Sequence, residues 1–465
     1  MDERIRDLER RAAADPSDDE ARLALALQLV RSGNVEGASE KVDPASAAGY
    51  RLLVERAARE PSLLPLLDRA PEWRSSGGDA GCTRWSKAAP VTTPRTLWRR
   101  RIEGVHAALG VAVDRGSAYV VTLGAAGTEL LAISVVAGTT LWRFGLGHGP
   151  VAAPLARAGR IYVSSMDGSR VTSHALSAEG ETLWRRSWSM DTAAIPGSVN
   201  ATPQFMVLPL ATTWRGSSRL PDGRRRAFVQ WADLRDGSLV APLPCEQVFA
   251  EAVVQGEECL HAENFVTGPG AIVRVGPRTG PAGLSTECAL DGAPQFLALA
   301  HERLAMAVGG TLRVRAENEW SSIGGNITSL AIDDRRVLVG RGAEFSVRDA
   351  RTGATLSSWT THESPLPYRP RGIAHAPPAP RSAVCAGDLS YLASPLSPSL
   401  SAFDVRTGEA VWRHELDGIL IPEEGPRYTW PVAEVGPPDR GPLYLAPLPG
   451  LIFGITLSGY AFLVG

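Results

Sequence analysis

Cysteine is scarce in this sequence, and its spacing fits no shared structural role. The 465 residues include an odd number of cysteines with no Cys-x-x-Cys pair, namely Cys82, Cys245, Cys259, Cys288 and Cys385. This spacing argues against a disulfide framework and against a zinc knuckle. Because free cysteines persist in a reducing compartment, we expect a cytoplasmic protein.

The chain also lacks an excess of charge of one sign and any long apolar run. Its 48 basic and 50 acidic side chains give a formal net charge of −2, so no overall field favours nucleic acid or an anionic membrane. Residues 1–11 are charged where a secretory signal would be apolar. We therefore expect neither a nucleic-acid nor a membrane partner. Lys41 and Lys87 are the only lysines, and such a bias towards arginine favours a bacterial source.

Glycine and proline are abundant, with 47 and 35 residues, in a chain that is 44% hydrophobic. This composition is typical of a globular protein with many turns. The first 70 residues have helical spacing, with a capping pair at Ser17 and Glu20, a C-terminal cap at Gly33 and a second start at Asp43. About 24 of these residues, from Asp15, resemble the opening of a tetratricopeptide repeat. We expect a helical adaptor over residues 1–70.

A repeat of 42 to 44 residues begins after this segment. The string Thr-Leu-Trp recurs at 96–98, 140–142 and 182–184, and its tryptophans lie 44 and 42 residues apart. Weaker copies continue to Trp412, which gives eight in all. This is the period of a four-stranded propeller blade. The predicted fold is mainly β, an eight-bladed β-propeller preceded by a short α-helical N-terminal segment.

A turn containing glycine precedes the aromatic residue in several copies, including AISVVAGTTLW (132–142), VRDARTGATLSSW (347–359) and AFDVRTGEAVW (402–412). An Asp or Ser side chain there can accept loop N–H groups, while glycine supplies a positive φ. We interpret each turn as the hairpin between the third and fourth strands of a blade. The tryptophan that follows is expected to be buried between adjacent blades.

The last of these turns matches the tryptophan-docking pattern AxDxxTGxxxW of quinoprotein propellers. On this motif, and on the segment that opens at Trp73, residues 73–465 resemble PQQ-like (quinoprotein-like) repeat proteins. The resemblance implies a propeller in which structural docking is carried out by Trp98, Trp142, Trp184, Trp359, Asp404, Thr407, Gly408 and Trp412.

Quinoprotein enzymes hold a quinone through calcium, carboxylate and amide ligands, and many stack it on a disulfide of adjacent cysteines. No two cysteines are adjacent in this chain, and no such ligand set can be transferred to it by position. We therefore predict no cofactor and no enzymatic activity. The alternatives are a quinone- or metal-dependent oxidoreductase and a carbohydrate-binding propeller on the same fold.

Two further groups of residues are weak candidates for a site. Cys259, His261 and Glu263 alternate along a predicted strand and are metal-ligand types, although a polar strand face with a buried cysteine explains them better. Trp214 precedes the arginines Arg224, Arg225 and Arg226 in a blade longer than its neighbours, which predicts a projecting basic hairpin. We expect a monomeric binding scaffold whose partner is another protein.

The two ends of the repeat region complement each other. The pattern of residues 96–102 predicts the fourth strand of a blade, but no hairpin turn precedes it. At the other end, the chain stops at Gly465, where the fourth strand of the last blade should follow. We therefore predict that residues 96–102 pair with the C-terminal strands and close the ring, which removes exposed sheet edges.

Overall fold

The computed structural model describes residues 3–14, 19–40, 58–59, 64, 74, 78–79, 82, 84–124, 126–189, 194–212, 227–245, 248–263, 270–277, 285–290, 294–301, 303–308, 311–316, 319–323, 327, 329–341, 343–361, 382–393, 399–416, 443–456 and 459–465.

Three helices are described in the N-terminal part of the chain, α1 (Glu3–Ala14), α2 (Asp19–Arg31) and α3 (Val35–Glu40). The helices α1 and α2 contact each other through buried Ile5, Leu8 and Leu25. Gly33 lies just beyond the end of α2, has a φ of +85° and donates its N–H to the carbonyl of Val30. This is the predicted C-terminal cap. No described helix is long and apolar enough to span a membrane.

Other predicted helix signals cannot be compared with the structure. Ser17 and the start at Asp43 lie outside the described residues, as does the side chain of Glu20.

The described residues from Trp85 onward form 34 strands. The first two are β1 (Trp85–Ser86) and β2 (Thr96–Arg101). Sheet 1 contains β3 (Val105–Asp114), β4 (Ser117–Gly124), β5 (Gly127–Ser134) and β6 (Thr140–Gly147). Sheet 2 contains β7 (Leu155–Arg157), β8 (Arg160–Asp167), β9 (Arg170–Ser177) and β10 (Thr182–Ser189). Sheet 3 contains β11 (Ala194–Pro196), β12 (Asn200–Ala201), β13 (Phe205–Thr212), β14 (Ala227–Asp233) and β15 (Leu239–Cys245).

Sheet 4 contains β16 (Val248–Gln255), β17 (Glu258–Glu263), β18 (Gly270–Val275) and β19 (Ser285–Leu290). Sheet 5 contains β20 (Pro294–Ala300), β21 (Arg303–Val308), β22 (Thr311–Ala316) and β23 (Glu319–Ile323). Sheet 6 contains β24 (Ser329–Ile332), β25 (Arg336–Arg341), β26 (Glu344–Asp349) and β27 (Thr355–Thr360). Sheet 7 contains β28 (Ser382–Ala386), β29 (Leu389–Ala393), β30 (Ser399–Asp404) and β31 (Ala410–Glu415), and sheet 8 contains β32 (Leu443–Leu448), β33 (Leu451–Thr456) and β34 (Tyr460–Val464).

The eight sheets of the described residues are arranged as a ring. Within each sheet the strands pair antiparallel in chain order, except that β11 and β12 of sheet 3 both pair with β13, while β1 joins sheet 7 and β2 joins sheet 8. Neighbouring sheets contact each other mainly through their first strands, and β32 of sheet 8 contacts β3 of sheet 1. Sheet 3 differs, because it contacts sheet 2 through β11 and β8 and sheet 4 mainly through β13 and β16. The first strand is therefore innermost and the fourth outermost. This arrangement is that of a β-propeller.

Burial along the strands follows from the radial packing. Inner strands such as β4 and β8 are buried over nearly their whole length, because both of their faces contact a neighbouring sheet. The outer strand β6 alternates between exposed and partly buried residues. The hydrophobic core is thus divided among the interfaces between sheets.

Sheet 8 is completed by a strand from the beginning of the ring. The strand β2 pairs antiparallel with β34, with Trp98 opposite Leu463 and Arg101 opposite Tyr460. Beyond the strand ends, Arg95 and Gly465 exchange backbone hydrogen bonds of 2.8 and 3.0 Å. The two ends of the repeat region therefore share one sheet.

Removing β2 should destabilise the whole ring. A chain that starts at Trp73 should fold as a stable monomer, whereas one that starts after Gly104 leaves the edge of β34 unpaired and should aggregate or unfold at a much lower temperature. Thermal unfolding and size-exclusion chromatography of both chains measure the effect. Equal melting temperatures would contradict the closing role of β2.

Candidate functional site

Tryptophans on the outer strands of sheets 8, 1 and 2 each connect their sheet to the next. Each donates its indole N–H to a backbone carbonyl, in the pairs Trp98 with Val135 (2.7 Å), Trp142 with Ala178 (2.7 Å) and Trp184 with Leu234 (3.1 Å). Every acceptor directly follows the Asp or Ser that opens the hairpin turn of the next sheet. Trp184 is buried, while Trp98 and Trp142 are half-buried. These tryptophans stabilise the interfaces between sheets.

The glycine of each turn is required for two reasons. Gly138 and Gly237 have φ values of +65° and +71°, which favour glycine. A β-carbon on either would also lie 2.6 Å from a ring atom of the tryptophan of the preceding sheet, Trp98 or Trp184. Turn and docking tryptophan are therefore one structural unit that spans two sheets.

The turn with the full docking motif has the predicted hydrogen bonds. The Asp404 carboxylate accepts the backbone N–H groups of Arg406 (2.7 Å) and Thr407 (3.4 Å), and the Thr407 hydroxyl accepts the N–H of Glu409 (3.2 Å). Hydrogen bonding from the Arg406 guanidinium lowers the pKa of Asp404. Gly408 has a φ of +79°. These contacts give Asp404, Thr407 and Gly408 a structural role.

Sheet 6 departs from the predicted docking pattern. The docking position is the first outer-strand residue after the β-bulge, and in the pairing of β26 with β27 this residue is Ser357. The Ser357 hydroxyl donates to the carbonyl of Val405 in sheet 7. Trp359 lies two residues further along and stacks between Phe345 and Phe403 at centroid distances of 5.8 and 5.4 Å. Trp359 is thus buried between sheets but is not at the docking position. The sequence predicts docking at Trp359 because an aromatic residue marks the docking position in the other copies of the repeat.

In sheet 3 the large side chain lies on the third strand instead of the fourth, a change that the sequence did not predict. In sheet 7 the small Ala402 pairs with Trp412, and sheets 1 and 2 have the same combination of alanine and tryptophan. In sheet 3 the large residue is on the third strand, where fully buried Trp231 pairs with Val240. The feature of the sequence that indicates this exchange is Trp231, which lies two residues before Asp233 at the position where the motif has alanine.

The weak metal candidates lie in the core. Cys259 and His261 are fully buried on β17, and Cys259 belongs to one hydrophobic cluster with Val207 and Trp231 of sheet 3. Burial raises the pKa of the Cys259 thiol, which is therefore neutral at pH 7. The side chain of Glu263 lies outside the described residues. Within the described ranges, no three His, Cys, Asp or Glu side chains are grouped to hold a metal ion.

The predicted basic hairpin cannot be compared with the structure. Trp214, Arg224, Arg225 and Arg226 lie outside the described residues, so their proposed part in an interaction stays a prediction.

The segment before β2 contacts the inner strands of several sheets. The carbonyl of Arg74 accepts the N–H of Ala156 on β7 (2.8 Å). Cys82 is buried with Val253 and Leu297 from sheets 4 and 5. The strand β1 then pairs in parallel with β28, on the edge that faces the middle of the ring. The chain therefore runs across the inner side of the ring.

Trp85 anchors this segment between sheets 6 and 7. Its indole N–H donates to the carbonyl of Gly387 (3.0 Å), and the Arg336 guanidinium lies 4.6 Å from the ring centroid. Arg336 is itself paired with Asp333 and Asp388, each at 2.7 Å. A cation over an indole face, held by two carboxylates, is a favourable contact. Trp85 is consequently 8% exposed.

The backbone around Trp85 is held in a costly conformation. Cys82 and Arg84 have φ values of +52° and +53°, in the left-handed region that costs a non-glycine residue about 1–2 kcal/mol. Both residues are buried. The surrounding contacts of the ring interior must therefore hold this conformation in place.

The described residues do not fit a calcium-held quinone inside the ring. The inner edge of β28 is paired with β1, and one face of Trp85 is covered by Arg336. Carboxylates grouped in threes, which could hold calcium, do not occur among the described residues. Asp333 and Asp388 both bind Arg336 instead.

His174 is a buried histidine at the interface of sheets 1 and 2. It is 6% exposed and packs edge-to-face on Phe144, with ring centroids 5.2 Å apart. Burial, with a smaller contribution from Arg185, lowers its pKa from 6.5 to about 4. His174 is therefore neutral at pH 7.

Family models match two parts of the chain. Residues 87–238 match a PQQ-like model described as outer membrane protein assembly factor BamB, and residues 1–42 match a tetratricopeptide repeat model. Both predicted resemblances are thereby confirmed. No curated protein sequence matches the chain.

Solved structures resemble the chain over most of its length. The quinohemoprotein alcohol dehydrogenase of Comamonas testosteroni is 11% identical, with a TM-score of 0.56 over 87% of this chain and 82% of the enzyme. A europium-containing methanol dehydrogenase is 11% identical, with a TM-score of 0.55 over 87% of this chain and 100% of the enzyme. BamB from Moraxella catarrhalis is 12% identical, with a TM-score of 0.49 over 80% of this chain and 99% of that protein. The two dehydrogenases confirm the mainly β, propeller-type fold.

Replacing the buried docking tryptophan should strongly destabilise the protein. We expect Trp184→Ala to lower the free energy of unfolding by about 3–5 kcal/mol. Trp184→Phe should lower it by about 1–3 kcal/mol, because the Leu234 carbonyl loses its donor. Urea unfolding measures both, with Trp188→Ala on the same strand as a control that should cost less. A loss below about 1 kcal/mol for Trp184→Ala would contradict the docking role.

Acid should destabilise the protein through His174. Well above pH 6.5 the histidine is neutral in both the folded and the unfolded state. As the pH falls from 6.5 to about 4, the unfolded chain takes up a proton that the folded chain does not, so stability falls by up to about 3 kcal/mol. Urea unfolding between pH 7 and 4 should show a shallower decline for His174→Gln than for the wild type. The exposed His301→Gln serves as the control, and identical profiles for all three proteins would contradict the assignment.

Proposed function

We propose that this chain is a non-enzymatic scaffold, an eight-bladed PQQ-like propeller that binds another protein. In this proposal residues 73–465 form the propeller and residues 1–70 a helical adaptor with a second contact surface. The protein acts as a monomeric propeller in the cytoplasm of a bacterium. Cys82, Cys259 and Cys385 are all free and buried, which agrees with a reducing compartment.

The occupied inner edge of the ring is the observation that carries this proposal. Cys82, Trp85 and Ser86 fill space beside the first strands of sheets 4 to 7 and are held there by packing and by the pairing of β1 with β28. A site built on those inner strands would require this segment to leave. The outer surface of the ring needs no such rearrangement, which favours recognition there.

The helical segment supports a scaffold role independently. Residues 1–42 match a tetratricopeptide repeat model, and such repeats present helical faces that stack on a neighbour. The described helices α1 and α2 form one such pair. The helix α3 also contacts α2, and in this proposal the remaining faces of these helices form the second contact surface.

The rival proposal, a quinone-dependent oxidoreductase, is tested by reconstitution. The purified full chain is mixed with pyrroloquinoline quinone and Ca²⁺ and examined by calorimetry and by dye-linked oxidation of alcohols and sugars. A known quinoprotein dehydrogenase in the same buffer is the positive control. We expect neither tight binding nor turnover, and stoichiometric binding with turnover would contradict the scaffold proposal.

A further inference from the structure

Positive charge is concentrated on the outer strands of three consecutive sheets. The outer strands β2, β6 and β10 of sheets 8, 1 and 2 carry six arginines and no acidic residue, namely Arg99, Arg100, Arg101, Arg143, Arg185 and Arg186. The other five outer strands, β15, β19, β23, β27 and β31, together carry one arginine and three glutamates. We call the six arginines the arginine belt.

Three members of the arginine belt have no counter-charge among the described residues. Arg99, Arg100 and Arg185 are exposed, and among the described residues no carboxylate forms an ion pair with them. Arg143, by contrast, binds Glu129 (3.1 Å) and the carbonyl of Glu103 (2.8 Å), and Arg101 lies over the ring of Tyr460. Arg99, Arg100 and Arg185 can therefore bind carboxylates from outside the chain.

Protection of exposed sheet edges does not explain the arginine belt. Charged residues on an outer strand discourage pairing with other chains, and all eight outer strands present such an edge. Four of them, β15, β19, β23 and β27, carry no arginine or lysine. The asymmetry around the ring therefore needs a reason beyond edge protection.

Apolar side chains accompany the arginines. Leu97, Leu141 and Leu183 are 49%, 42% and 41% exposed, because each is the residue skipped by a β-bulge in the outer strand. Similar bulge residues occur in sheets 6 and 7, so the leucines alone do not distinguish this side. Together with the arginines they form a surface that suits a polypeptide of mixed acidic and apolar residues.

We propose that the arginine belt docks an acidic segment of the partner protein. This inference rests on the proposed scaffold function and names the chemistry of its partner. The guanidinium groups bind carboxylates, and the bulge leucines contact apolar side chains between them. A protein segment is favoured over nucleic acid because the belt exposes aliphatic rather than aromatic side chains, whereas bases stack on aromatic rings.

The test uses the full chain and a fluorescein-labelled peptide of repeated Glu-Glu-Leu triplets. Fluorescence anisotropy compares the wild type with Arg99→Glu/Arg100→Glu/Arg185→Glu and with the control Arg335→Glu/Arg351→Glu/Arg413→Glu. The control changes three exposed arginines of sheets 6 and 7 and has the same net charge. We expect the belt variant to bind about tenfold more weakly and the control within about twofold of wild type. Unchanged melting temperatures would show that both variants fold.

Several results would overturn the inference. These are absence of peptide binding, equal weakening in both variants, or tighter binding of a single-stranded oligonucleotide of matched charge. Affinity capture from the native cell separates this inference from the scaffold function. Capture that persists in the belt variant removes the arginine belt as the docking surface but leaves the scaffold function. If the wild type captures no protein while peptide binding is intact, the scaffold function fails, and the inferred docking of a partner fails with it although the belt binds acidic peptides.

Discussion

The pairing of β2 with β34 is the contact on which the ring depends, since it joins the two ends of the repeat region in one sheet. The segment that leads into β2 adds to this closure. It pairs with β28 at Trp85, and the carbonyl of Val91 accepts the indole N–H of Trp412 at 2.9 Å. Sheet 8 has no docking turn of its own, so Val91 provides the acceptor that a turn supplies elsewhere. The same short segment therefore occupies the inner side of the ring and closes it.

The docking contact between sheets tolerates substitution when its geometry is kept. Ser357 replaces tryptophan in sheet 6 yet donates to the same type of carbonyl, and Trp359 fills the space nearby. In sheet 3 the large residue moves to the neighbouring strand as Trp231. Both exchanges keep the volume between the sheets filled, as close packing requires. The hydrogen bond is kept in sheet 6 by Ser357, whereas the indole nitrogen of Trp231 is buried without a hydrogen-bond partner among the described residues. The interfaces therefore stay filled although the sequence repeat decays.

The docking turns could be predicted from the sequence because glycine and Asp or Ser are each required by local geometry. The pairing of β2 with β34 followed the same logic, from a strand without a hairpin. The placement of Cys82 and Arg84 could not be predicted, because both adopt positive φ without glycine and are held by contacts distant in sequence. The arginines of TLWRRR were visible, but their arrangement as a belt depends on which sheets are neighbours in the ring.

The occupation of the ring interior by the chain's own segment is the central claim, and amide hydrogen exchange tests it most directly. The N–H groups of Cys385 and Gly387 donate to the carbonyls of Arg84 (2.9 Å) and Ser86 (3.1 Å). In the full chain, mass spectrometry of peptides covering β28 should show slow exchange at both amides, and Trp85→Ala should accelerate them selectively. Exchange in the wild type as fast as at an unpaired strand edge would contradict the account.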